Sequence, residues 1–112
     1  MNFLAHIFLS GTDPRIQIGN FVGYAVKGNS YRDYPPSIRK GILMHRAIDH
    51  FTDNHPVVRS LINELRPVFG RYSGILLDMY FDYFLASRFS EFSEKSLRKF
   101  TFRFYMSLIW YR

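Results

Sequence analysis

Apolar residues recur along this chain at intervals of three and four, and nowhere alternate with period two for long. Asn2–Leu9 is short and mostly apolar, with His6 inside it, and reads as a brief helix. Asp13-Pro14 predicts the next start, with Asp as N-cap and Pro in the first turn. Ile16, Ile18, Phe21, Val22, Ala25 and Val26 follow at helical spacing, and Gly28 is the expected stop. A loop with Tyr31, Tyr34 and Pro35-Pro36 comes next. A third helix begins near Pro36 or Ser37 and runs to about Asp53, where His55-Pro56 breaks it. Pro56 opens a fourth, Val57–Phe69, with a kink expected at Pro67. A fifth covers Ser73–Phe89. Ser93 is the expected cap of a last helix, Glu94 to about Trp110. The pattern predicts an all-α fold, a single-domain bundle of five to six helices.

Two helices are unusually greasy. From Ile75 to Ala86 the fifth is apolar all round apart from Asp78 and Asp82, which marks it as the central helix of the domain. Two carboxylates at i and i+4 there need basic partners, buried water or a metal. The last helix carries Phe100, Phe102, Phe104, Met106, Leu108, Ile109 and Trp110, and the sequence ends on it at Arg112 with no polar tail. It predicts either continuation into a longer protein or self-association through that helix.

At 112 residues the chain is one domain, residues 1–112, with a modest core. Aromatics reach 19%, a heavy load for this size. With no cysteine there is no disulfide framework and no thiolate metal site. No apolar run approaches the roughly 20 residues of a membrane span. The opening MNFLAHIFLSG lacks a basic leader, so a cytoplasmic, soluble protein is expected. The net charge of +6 favours an anionic partner: nucleic acid, a phosphate-bearing substrate, a membrane or an acidic protein. Four of the nine acids, Asp49, Asp53, Asp78 and Asp82, sit in two apolar helical stretches, whereas Lys and Arg are scattered.

The candidate chemistry lies in MHRAIDHFTDNHP, residues 44–56. His45, Asp49 and Asp53 recur every fourth residue, and each such step turns about 40° past a full revolution, so the three form one slanting row. Arg39, Arg46 and His50 mark the solvent side of this helix; His45 points inward, Asp49 sits at the boundary and Asp53 nearer water. Imidazole and carboxylate together suit divalent transition metals. The other reading is a buried His with a carboxylate partner and ordinary surface acids. His6 has the same two readings, core residue or ligand. Gly19-Asn20 interrupts the second helix, which close approach of another backbone, a ligand or plain tolerance would explain. There is no Gly-rich phosphate loop and no zinc-finger spacing.

With these residues in hand, the sequence resembles the acyl carrier protein phosphodiesterase family. The shared text is MNFLAH, then IGNF with VKGN, then YPPSIRKGILMHRAIDHFTDNHP, then LLDMYFDYFLA, in order from Met1 to about Phe89. That family looks like a distant branch of the helical HD-type metal phosphohydrolases. The resemblance implies removal of 4′-phosphopantetheine from holo-acyl carrier protein, an acidic partner, by metal-assisted phosphodiester hydrolysis. The implied cofactor is a divalent metal, manganese first, with magnesium as the alternative. It implies His6, His45, Asp49 and Asp82 as metal ligands, Asp53 or Asp78 as the group that orients or deprotonates water, and Arg46 as a phosphate clamp. Two positions depart: Tyr24 stands where the family usually has Asp, and Tyr83 follows Asp82 where it usually has His.

Two rivals keep their place. One is a truncated or degenerate member, catalytically inactive, that still binds a carrier protein. The other is a basic nucleic-acid-binding helical domain, but its aromatics fall on apolar helical faces and no binding motif supports it.

Overall fold

A computed structural model describes residues 3–111; the expected helix start at Asn2 and the chain end at Arg112 lie outside them. Among the described residues the fold is all-α, with no strand. Its helices are α1 (Phe3–Leu9), α2 (Pro14–Val22), α3 (Pro36–Asp53), α4 (Pro56–Phe69), α5 (Ser73–Ser87), the single turn α6 (Phe89–Phe92) and α7 (Leu97–Trp110). Three 3₁₀ turns, Gly23–Ala25, Gly28–Asp33 and Gly70–Tyr72, connect them.

Helix starts follow the expected chemistry. The Asp13 side chain accepts from the Arg15 N–H with Pro14 behind it, and the His55 ring does the same for Val57. α4 runs on through Pro67, and Gly70 closes it at φ +57, a backbone region that favours glycine. Three boundaries differ from expectation. The fifth helix ends at Ser87 rather than Phe89, and the separate turn Phe89–Phe92 takes the described helices to seven where five to six were expected. α2 ends at Val22, and the chain tightens into a 3₁₀ turn at Gly23 rather than continuing to Gly28. The last helix starts at Leu97, because Ser96 accepts from the Lys99 N–H, while Ser93 accepts locally from Lys95.

The centre of the fold is the crossing of α2 and α3. A Cβ on Gly19 would run into the Ile38 carbonyl and lie 2.9 Å from the Gly41 Cα; one on Gly41 would meet the Ile16 carbonyl. Close backbone approach is therefore why Gly19 interrupts its helix. Beside the crossing, Ile7, Ile18 and Phe104 form a buried cluster joined by Phe21, Phe100 and Leu108. Phe21 meets Phe104 edge-on with ring centroids 5.3 Å apart. Burying such a ring is worth roughly 1.5–3 kcal/mol.

α5 is not the central helix. Only Ser73 and Leu77 are buried on it, and Ile75, Met79, Tyr80 and Tyr83 are each more than half exposed. It packs on α1 and α4, which cover one face. All-round greasiness reports what a helix tolerates, whereas burial needs neighbours on every side. α7 likewise buries Phe104 and Ser107 and exposes Phe102, Tyr105, Ile109 and Trp110.

Candidate metal centre

Two helices, α1 and α3, bring His6, His45 and Asp49 to one point. The His6 Nε2 lies 2.9 Å from one oxygen of Asp49, and the His45 Nε2 lies 3.2 Å from the other. The two imidazoles stack, with centroids 3.9 Å apart and planes 15° from parallel. His45 and Asp49 share a face of α3 at i and i+4. His6 comes from α1, whose first turn is anchored from α5: the Asp82 carboxylate accepts from the Leu4 and Ala5 N–H groups, each at 3.1 Å.

A buried polar chain sets the register of these elements. The His6 carbonyl accepts from the Ser10 hydroxyl at 2.7 Å, which accepts from the Asn20 amide at 2.7 Å. The Asn20 carbonyl in turn accepts from the His45 Nδ1 at 2.8 Å. Asn20 is fully buried, and Gly23 lies so close to the His45 ring that a Cβ there would sit 2.6 Å from its Cβ and Cγ. Ser10 and Gly23 are positioning residues that the sequence reading did not single out, and Asn20, named there only as interrupting its helix, is a third. A buried Asn beside a helix-interrupting Gly was the available signal.

The electrostatics favour a cation. A carbonyl can only accept, so His45 carries its proton on Nδ1 and, when neutral, turns the Nε2 lone pair towards Asp49. Burial, and then the neighbouring His45, push the His6 imidazole below its ordinary value, against the opposing pull of Asp49. Burial pushes the Asp49 carboxyl up, yet the surrounding positive charge, His6 and His45 included, outweighs it and holds the carboxyl below its usual value. The His6 Nδ1 is buried without a partner. Two imidazole nitrogens and a carboxylate oxygen, all within 4.8 Å of one another, are a donor set that fits a divalent first-row metal.

The remaining candidates are not part of this three-residue cluster. Asp82, expected among the ligands, caps α1 as described. Asp78 is half-buried on α5; burial raises its pKa, and the charges of Asp49 and Asp53 add to that. Asp53 is exposed and lines a groove with Arg59 and Arg66. The Arg46 Nη2 donates to the Val26 and Gly28 carbonyls at 3.2 and 2.8 Å, so its fork braces a loop. A pocket of about 430 Å³ opens beside the centre, lined by Tyr24, Lys27, Gly28, His45, Arg46 and Asp49.

The family described as acyl carrier protein phosphodiesterase matches residues 1–112. A protein of that name from Yersinia pestis is 38% identical over 91 residues, covering 81% of this chain and 47% of the relative. One from Salmonella agona is 40% identical over 93 residues, covering 83% and 48%. The chain thus spans about half the length of the curated relatives it matches. No solved structure matches it.

Proposed function

The chain belongs to the acyl carrier protein phosphodiesterase family, and from that membership and the His6–His45–Asp49 convergence we propose that it serves metal-dependent hydrolysis of the phosphodiester between 4′-phosphopantetheine and the carrier serine. Its residues 1–112 act in this reading as one helical domain, the N-terminal portion of a longer family domain. The geometry that carries it is two imidazoles and a carboxylate, from α1 and α3, facing one another at ligand distances.

His6, His45 and Asp49 would hold the divalent ion, with manganese as the first candidate. When bound, it would supply Lewis acidity towards a phosphoryl oxygen and ease deprotonation of water. The Asn20 carbonyl holds the His45 tautomer, keeping Nε2 free to ligate. Asp78 accepts the proton of the attacking water, since its raised pKa brings it nearer the working range of a base. Water oxygen goes to phosphorus, and the serine oxygen leaves and takes up a proton. Asp53 lies further out and serves the water only if it swings in. Asp82 reaches the centre through the position it gives α1 and His6.

The partner is an acidic carrier protein, whose encounter the +6 charge speeds. Among the described residues no helix is long and apolar enough to cross a membrane. We place the protein in the cytoplasm. The exposed apolar side of α7 is the surface for self-association.

A second reading is a catalytically inactive member that still binds a carrier. Tyr24 favours it, because it stands at the pocket beside His45 and Asp49 where the resemblance expects a carboxylate. One experiment separates the two: release of phosphopantetheine from holo-carrier with and without Mn²⁺, for the wild type, His45→Ala and Asp49→Ala. Release that needs metal and both residues supports the hydrolase. Carrier binding without release supports the second reading. Full activity in both variants ends the assignment of this centre.

A further inference from the structure

We propose that Lys27 is the residue that grips the phosphate group in the pocket beside the metal centre, and that Arg46 acts by holding Lys27 in place. This rests on the hydrolase reading for its biological meaning, though the phosphate contact is testable alone. The resemblance implies Arg46 as the phosphate clamp, a role its planar fork would suit. The structure gives the fork another task. Its Nη2 donates to the carbonyls of Val26 and Gly28, the residues on either side of Lys27. The guanidinium also lies over the Tyr31 ring, 5.2 Å from its centroid.

Lys27 itself is extended, at φ −108 and ψ 150. Gly28, at φ +56, then turns the chain away, a conformation that favours glycine. The loop is thus clamped on both sides of one lysine. Val26 is buried and anchors it, while Lys27 stays exposed and lines the same pocket as His45 and Asp49. Neither Lys27 nor Arg46 makes an ion pair among the described residues. Two positive charges therefore stand at the pocket with no carboxylate committed to them, facing a centre that suits a cation. A phosphate oxygen in that pocket meets the Lys27 ammonium, and the cation that the centre suits would lie on its other side.

The test uses inorganic phosphate as the probe, titrated into the metal-free protein and followed by amide chemical shifts. Lys27→Met is expected to weaken binding about tenfold, the loss of one charge-assisted contact at a partly open site. Lys27→Arg should keep most of it, because charge and reach survive. Arg46→Ala should weaken it too, and the double variant should be no worse than Arg46→Ala, since an unclamped Lys27 has little left to lose. Mn²⁺ affinity, read by electron paramagnetic resonance, should be equal in the wild type and Lys27→Met. Wild-type protein that shows no saturable phosphate shift, or Lys27→Met that binds like wild type, overturns the proposal. Additive losses in the double variant overturn the positioning role of Arg46. Failure of the wild type to bind Mn²⁺ sinks the hydrolase reading instead and leaves the phosphate result standing.

Discussion

Gly19 of α2 and Gly41 of α3 meet backbone to backbone, so that a Cβ added to Gly41 would sit 2.8 Å from the Gly19 Cα and against the Ile16 carbonyl. That contact fixes how near α2 stands to α3, and hence how the Asn20 carbonyl reaches His45.

Gly41→Ala should therefore destabilise the protein even though alanine is the better helix former by roughly 1 kcal/mol. Forcing the helices apart costs about 1–3 kcal/mol in overpacking, and the atoms in the way are backbone. Gly74→Ala is the control: it is helical, and nothing lies within 4 Å of its added Cβ. It should be neutral or stabilising, by up to about 1 kcal/mol. Urea unfolding of both variants checks this, and equal effects would remove the crossing from the account.

Much of this arrangement was legible beforehand, because helix starts are local chemistry. Asp13-Pro14, Pro36 and Pro56 mark their helices in sequence as they do in space. The i, i+4 spacing likewise places His45 and Asp49 together. What joins distant segments was harder to see. Nothing local to Asp82 tells whether its carboxylate meets a metal or the N–H groups of Leu4 and Ala5, as it does. Nothing local to Ser93 tells that Ser96 makes the better cap. The greasy α5 misled for the same reason, since burial belongs to a helix and its neighbours jointly.

Asp82→Ala should cost about 1 kcal/mol, as the loss of a helix cap does. Mn²⁺ should still bind with one-to-one stoichiometry, less tightly because α1 and His6 are held more loosely. Calorimetric titration beside Asp49→Ala decides its place. Equal and complete loss of binding in both would return Asp82 to the ligand set.

His6 makes stability depend on pH. Its folded pKa lies below the ordinary 6.5 because burial, then His45, disfavour the imidazolium. Between the folded and unfolded values the unfolded chain binds more protons, so stability rises with pH there. The contribution is complete above 6.5 and is lost as pH falls through the folded value. Metal-free protein should thus lose stability to urea as the pH falls from neutral through the folded value, more steeply than His6→Gln does. The His6 ring protons should titrate with a midpoint below 6.5. A midpoint above it would reverse the sign.

Gly23→Ala reaches the centre without touching a ligand. The new methyl would fall 2.6 Å from the Cβ and Cγ of His45, closer than real contacts allow. Gly23 closes α2 in a 3₁₀ turn whose conformation alanine adopts readily, so the backbone itself should not object. The ring of His45 must yield instead. Its Nδ1 then leaves the Asn20 carbonyl, its stacking on His6 opens, and Nε2 turns from Asp49. The variant should remain helical by circular dichroism and lose Mn²⁺ affinity by about ten- to a hundredfold, the usual effect of disturbing the support of a ligand. His45 ring resonances should shift in the metal-free protein, which reports displacement independently of the ion. Unchanged resonances with unchanged affinity would mean that the turn gives way and that Gly23 has no hold on His45.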